Sequence, residues 1–247
     1  MPIKSLHSTM QPYSAVVLGS TGNVGRQIVN LLVTSPAVKA VLVVNRRQTD
    51  EFERMPKVRE VVVPDMDELA EAVEPAAREA GATVGFCAIG VGKGSQKMPE
   101  AEVRKIEVLY PESFAKGCKA AGVLSMGLMT AAGSDIKSSF TYARIIGEKE
   151  KAVSGVGIPA LGIYKPSVIF GNSNTPSYLR YVFPAVQWVL PSRYHSIHKN
   201  ELARAMFEGT QKALAEVQQK RAAQNGAFPE PEVKSYEYSD MIVLQQR

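Results

Sequence analysis

The sequence predicts an α/β fold, a doubly wound parallel sheet, on three observations. Apolar, β-branched runs alternate with helix-patterned segments along most of the chain. The first run, Ala15-Val16-Val17-Leu18, ends in glycines at three-residue spacing, Gly19, Gly22 and Gly25, directly before an apolar-faced helix. The runs are continuously apolar, as strands buried on both faces are.

Taken in order, residues 14–18 are expected as the first strand and 22–34 as the first helix. The β-branched run 40–45 is the second strand and 60–63 a short third. Residues 67–80 carry a helical pattern with a break expected near Pro75, which cannot donate to the helix ladder. Strand 83–89, helix 102–121, strand 123–130, helix 140–154 and strand 160–165 continue the alternation. Right-handed crossovers then give a parallel sheet with helices on both faces. Past Pro166 the pattern changes. Residues 178–190 read as an apolar helix, 199–224 as an amphipathic helix stopped by Asn225-Gly226, and 233–244 as holding a final strand. We expect one domain over 1–247, with residues 166–247 adding a small C-terminal lobe on the substrate side.

Composition narrows the function classes. The chain has 247 residues, 45% hydrophobic and 21% charged, the balance of a globular enzyme-like protein. Its net charge of +5 comes from Lys and Arg scattered among acids, which does not imply nucleic-acid binding. No apolar run reaches membrane-spanning length. No Cys/His cluster has metal-ligand spacing. Cys87 and Cys118 fall in a strand and a helix pattern and are expected as buried thiols in a reducing compartment. A cytoplasmic location is the expectation. The few residues ahead of the first strand hold one Lys and no Arg, a weak leader that leaves mitochondrial association open.

The segment Gly19-Ser20-Thr21-Gly22-Asn23-Val24-Gly25 carries the chemistry. A turn between strand and helix needs a residue tolerant of positive φ, and an approaching phosphate needs backbone without Cβ. The helix N-terminus then offers N–H groups and a positive dipole end to an anion. In this context the turn predicts a dinucleotide site. The second strand ends Val44-Asn45-Arg46-Arg47, with no acid where a ribose-binding carboxylate usually stands, roughly twenty residues past the glycines. Arg46 and Arg47 suit a 2′-phosphate, each charge-assisted bond adding roughly 1.5–3 kcal/mol. One such bond already favours NADP(H) by about tenfold. The absence of any acid before Asp50 makes the first half of the unit electropositive. Asp65 and Met66, after the third strand, are candidates to flank the adenine, with a helix cap the alternative for Asp65. Ala88, Ile89 and Gly90 end the fourth strand with small residues that let a cofactor pass close to the backbone.

The glycine turn, Asn45-Arg46-Arg47 and Val84-Gly85-Phe86-Cys87-Ala88-Ile89-Gly90 together resemble the short-chain dehydrogenase/reductase superfamily, whose fold is of Rossmann type. The runs Ser138-Ser139-Phe140-Thr141-Tyr142, Gly147-Glu148-Lys149-Glu150 and Tyr164-Lys165-Pro166-Ser167-Val168 are similar to the Tat-interacting-protein-like group of its atypical members. The resemblance implies hydride transfer between a nicotinamide and a carbonyl or alcohol. Tyr142 falls on the acid/base position, and Pro166 and Val168 on the loop beside the nicotinamide. The Lys expected four residues after the tyrosine is Ile146, and the catalytic hydroxyl position falls on Ala131, with Thr130 adjacent. Lys93, Lys137 and Lys165 are other sources of a cation, and Lys149 returns to the tyrosine's helix face about 10 Å along the axis. His195 and His198 precede a helix and are expected as structural or solvated groups. Helices 102–121 and 139–154 resemble those that make dimer contacts in related folds.

Two functions remain open at this point. One is an NADP(H)-dependent oxidoreductase acting on an unknown small carbonyl or alcohol, with Tyr142 and Thr130 as catalytic groups. The other is a catalytically degenerate NADPH-binding sensor or protein-interaction module, with a scaffold carrying a vestigial site as a further possibility.

Overall fold

The computed structural model describes residues 11–92, 98–171 and 191–245. Expectations for Lys93, for the 178–190 helix and for the first ten residues lie outside them.

Strands β1 (Tyr13–Leu18), β2 (Val38–Asn45), β3 (Val58–Val62), β4 (Ala82–Cys87), β5 (Ser125–Met129), β6 (Ala160–Tyr164) and β9 (Glu232–Tyr236) form one sheet. Its order is β3-β2-β1-β4-β5-β6-β9 and every pairing is parallel. The order reverses between β1 and β4, which opens a crevice beyond the carboxyl ends of those strands. A second, two-stranded parallel sheet pairs β7 (Ile169–Phe170) with β8 (Ile197–His198).

The helices are α1 (Gly25–Thr34), α2 (Leu69–Glu79), α3 (Glu100–Arg104), α4 (Tyr110–Ala121), α5 (Thr141–Val156), α6 (Lys199–Ala223) and α7 (Tyr238–Leu244). Each central strand divides its apolar residues between the two faces. Ala15, Val17, Val41, Val43 and Phe86 pack toward Ile28, Val29 and Leu32 of α1 and Leu202 and Met206 of α6. Val16, Leu18, Leu42, Val44 and Cys87 pack toward Leu69 and Val73 of α2 and Phe114 and Cys118 of α4. Period-two side chains with both faces covered produce the unbroken apolar runs seen in the sequence. Cys87 and Cys118 are buried and unbridged. Burial pushes both thiols above their ordinary value, partly offset at Cys87 by Lys149.

Three local expectations are corrected. Helix α1 begins at Gly25 rather than residue 22, because Gly19 to Val24 forms the turn. Helix α2 runs through Pro75 unbroken. Pro75 and Glu71 are exposed, so the carbonyl that loses its donor faces water. Helix 102–121 starts at Glu100 and contains a π-helical segment, Lys105–Leu109, between α3 and α4. The final segment holds the expected strand, β9, and then α7. A capping box between Glu237 and Asp240 starts that helix.

Candidate active site

Strand register aligns the carboxyl ends of the sheet. Leu18 pairs with Val44 and Cys87, Cys87 with Leu128, and Leu128 with Ile163. Gly19, Asn45, Ala88, Thr130 and Lys165 therefore share one rim. The rim gathers the glycine turn, the end of β2, the end of β4 and the ends of β5 and β6.

The glycine turn is shaped as a cradle. Gly19 has φ +86°, and a Cβ there would lie 2.8 Å from the Ala88 carbonyl carbon and the Ile89 nitrogen. The Gly22 N–H donates to the Gly19 carbonyl over 3.1 Å, closing the turn. A Cβ on Gly25 would overlap the Gly19 carbonyl oxygen. The first turn of α1 has neither a side-chain cap nor an acidic residue. The Arg26 N–H is taken by the Gly22 carbonyl, and the helix end presents its positive dipole to the crevice. Thr21 is exposed, Asn23 half-buried and Val24 buried beneath the turn.

At the end of β2 a buried polar chain fixes the rim. The Ser20 hydroxyl donates to Asn45 Oδ1 over 2.8 Å, and Asn45 Nδ2 donates to Glu60 Oε1 over 2.6 Å. The Thr49 N–H donates to Glu60 Oε2 over 3.1 Å. Asn45 and Thr49 are pinned, and Arg46 and Arg47 stand between them, exposed and without an ion-pair partner among the described residues. Asp65 does cap its own turn, accepting from the Asp67 N–H over 2.9 Å, while Met66 is buried. Ala88 is buried and continues the ladder to the Leu18 carbonyl at 2.9 Å. Ile89 is half-buried and Gly90 exposed.

Helix α5 brings one buried charge to the rim, and the π-helical segment brings its partner. The Lys149 ammonium donates to Glu107 Oε2 and to the Ile89 carbonyl, both over 3.1 Å. Glu107 Oε1 accepts from the Val91 N–H over 2.9 Å. Both side chains are almost fully buried, at 1% and 2% exposure. Glu107 lies in the π-helical segment, a conformation often found at functional sites. One residue further along α5, Glu150 accepts from the hydroxyls of Thr130 (2.9 Å) and Ser134 (2.5 Å) and from the Lys165 ammonium (2.8 Å). The sequence places Lys149 seven residues and Glu150 eight residues after Tyr142, the spacing of one helix face. That was the available signal; their partners lie far off in the chain and gave none.

Tyr142 opens α5 on the same side, 45% exposed, with no hydrogen-bond partner among the described residues. Desolvation of its hydroxyl, and then the negative charge of Glu107, hold the phenol above its ordinary value. Ile146 is buried. Lys137 is exposed, while Lys149 and Lys165 are each paired with a carboxylate. Pro166 is buried and its carbonyl accepts from the Ala132 N–H, while the Val168 carbonyl accepts from Ile197. His198 caps α6 and His195 packs edge-on against Tyr238, structural uses of both rings. Among the described residues no group of His, Cys, Asp and Glu is placed to hold a metal ion.

No protein-family model matches the sequence. Curated relatives do. The mitochondrial protein FMP52-1 of Scheffersomyces stipitis is 31% identical over 162 residues, 66% of this chain and 70% of that protein. Protein HTATIP2 of Rattus norvegicus is 28% identical over 163 residues, 65% of this chain and 64% of that protein. Among solved structures, a UDP-glucose 4-epimerase superposes with a TM-score of 0.62 at 14% identity, covering 93% of this chain and 80% of that one. The UDP-glucuronic acid 4-epimerase of Bacillus cereus, solved with NAD, gives 0.62 at 10% identity over 94% and 92% of the two chains. These structures share the fold. With the parallel sheet, its glycine turn and the 31% identity to FMP52-1, the chain belongs to the FMP52 family, and HTATIP2 is a further relative.

Proposed function

We propose that the protein is an NADP(H)-dependent reductase of small carbonyl compounds. The observation that carries the reading is the pair Arg46 and Arg47, exposed and without an ion-pair partner among the described residues, beside the glycine cradle at an acid-free strand end. The turn suits a pyrophosphate: glycines at 19 and 25 let β1, the β4 end and α1 pack closely, and the first turn of α1 holds no acidic residue. Bound there, the dinucleotide supplies a hydride. The chain's residues do the rest. The α1 N-terminus neutralises the pyrophosphate, Arg46 and Arg47 hold the 2′-phosphate, and Asp65 and Met66 border the adenine. Ala88, Ile89, Gly90, Pro166 and Val168 form the wall toward the nicotinamide end. Tyr142 donates a proton to the carbonyl oxygen. Its raised pKa keeps the hydroxyl protonated at neutral pH, the state a donor needs, while making it a weaker acid.

Replacing Arg46 and Arg47 by Gln should weaken NADPH binding by at least about tenfold and leave NADH binding nearly unchanged, as read by calorimetry. Tyr142→Phe should lower the reduction rate by roughly 10²–10⁴ with NADPH affinity intact. Because the phenol stays protonated past its ordinary range, the wild-type reduction rate should show no tyrosine titration between pH 7 and 10. A fall in rate centred below pH 10 would remove Tyr142 as the donor.

A second reading, an NADPH sensor without turnover, is favoured by the site's hydroxyl. The Thr130 hydroxyl donates its hydrogen bond to Glu150, so it polarises a substrate only by breaking that bond. NADPH binding without turnover on any carbonyl, combined with cofactor-dependent partner or homodimer affinity, would select it. The mitochondrial names of FMP52 relatives favour mitochondrial association over a cytoplasmic location, which fractionation tests. No helix among the described residues is long and apolar enough to cross a membrane.

A further inference from the structure

We propose that Arg26 is a third guanidinium for the adenosine 2′-phosphate, and that Glu51 holds it as a stand-in anion until the phosphate arrives. The inference rests on the NADP(H) reading above. Arg26 is the second residue of α1, directly after Gly25, and its Nη2 pairs with Glu51 Oε1. Glu51 lies in the 3-10 turn Asp50–Phe52, a few residues beyond Arg46 and Arg47. The ion pair therefore bridges the two elements that an adenosine ribose must lie between: the helix end of the glycine turn and the segment after β2.

The surrounding framework keeps this bridge at the mouth of the site. The Ser20–Asn45 bond ties the glycine turn to the end of β2. Glu60 fixes Asn45 and the Thr49 N–H, and Phe52 anchors the far end of the segment in the core. Between Asn45 and Thr49, Arg46, Arg47 and Gln48 loop outward, all exposed, and Asp50 and Glu51 are exposed beyond Thr49. Asp50, Glu51 and Glu53 supply the segment's carboxylates, and Glu51 is the one paired with α1. Arg26 and Glu51 are 48% and 37% exposed, so water screens the pair and it exchanges at little cost. A 2′-phosphate carries up to two charges and matches the guanidinium fork, which lets it displace a carboxylate. Glu51 then opposes the incoming phosphate twice, by occupying Arg26 and by its own charge. It is a specificity residue acting through Arg26.

The test uses the whole protein and two probes, 2′,5′-ADP and 5′-AMP, titrated by calorimetry. Wild type should prefer 2′,5′-ADP. Glu51→Gln should tighten 2′,5′-ADP by about two- to fivefold, the range an exposed ion pair is worth, and leave 5′-AMP unchanged. Arg26→Gln should weaken 2′,5′-ADP by roughly tenfold, again sparing 5′-AMP. In the double variant the gain from Glu51→Gln should vanish. If E51Q shifts both probes equally or neither, or if its gain survives in the Arg26→Gln background, the proposal is overturned while the NADP(H) reading stands. If wild type binds the two probes equally, the NADP(H) reading falls and takes the proposal with it.

Discussion

Gly25→Ala is expected to abolish useful dinucleotide binding, weakening NADPH by roughly 100-fold, or about 2.7 kcal/mol. The added Cβ would sit on the Gly19 carbonyl and 2.7 Å from its carbon. Neither atom can yield, because both belong to backbone closed by the Gly22 N–H bond. Helix α1 must retreat from the turn, and the N–H groups that would face a pyrophosphate lose their alignment. Overpacking of this kind also costs stability, about 1–3 kcal/mol. The control is Gly155→Ala in α5, where an added Cβ meets nothing within 4 Å. That change should leave binding untouched and stabilise slightly, since alanine is the better helix residue. Calorimetry with NADPH and thermal melts of both variants separate the effects.

Lys149→Met should destabilise the fold by about 3–5 kcal/mol, because it leaves Glu107 buried without its counter-charge. For a chain this size that corresponds to a melting temperature lower by about 10 °C. The double change to Glu107→Gln with Lys149→Met should recover much of the loss, since a neutral amide still accepts the Val91 N–H. If the single and double variants melt together, the pair is not what holds the β4 loop to α5. The consequence extends to the candidate site. Lys149 and Glu107 together grip the Ile89 carbonyl and the Val91 N–H, which flank Gly90 at the rim.

The parts of the fold readable from sequence are those encoded locally. Apolar runs of strand length gave the sheet because both faces of β1, β2 and β4 are covered. The glycine turn was readable because Gly19 and Gly25 answer to steric demands within a few residues of one another. The π-helical segment was not, since one extra residue per turn leaves the apolar pattern of 102–121 nearly unchanged. Nor were the ion pairs of the rim, whose partners are brought together by the sheet: Glu107 with Lys149, Glu150 with Lys165, Arg26 with Glu51. Thr130 is a candidate catalytic hydroxyl by its place at the end of β5, whereas its commitment to Glu150 depends on how α5 docks against β5. The β7–β8 pair escaped notice because two-residue strands carry no periodicity.

Strand β6 borders β5 on one side and β9 on the other, and Ala160 to Tyr164 meets Glu232 to Tyr236 in register. During synthesis the apolar segment Ala160-Leu161-Gly162-Ile163-Tyr164 leaves the ribosome long before its outer neighbour exists. For that interval the nascent chain carries a bare, sticky border with unsatisfied amides, the kind of template that recruits other chains. Chaperones that shield such borders should raise the yield of folded protein during synthesis.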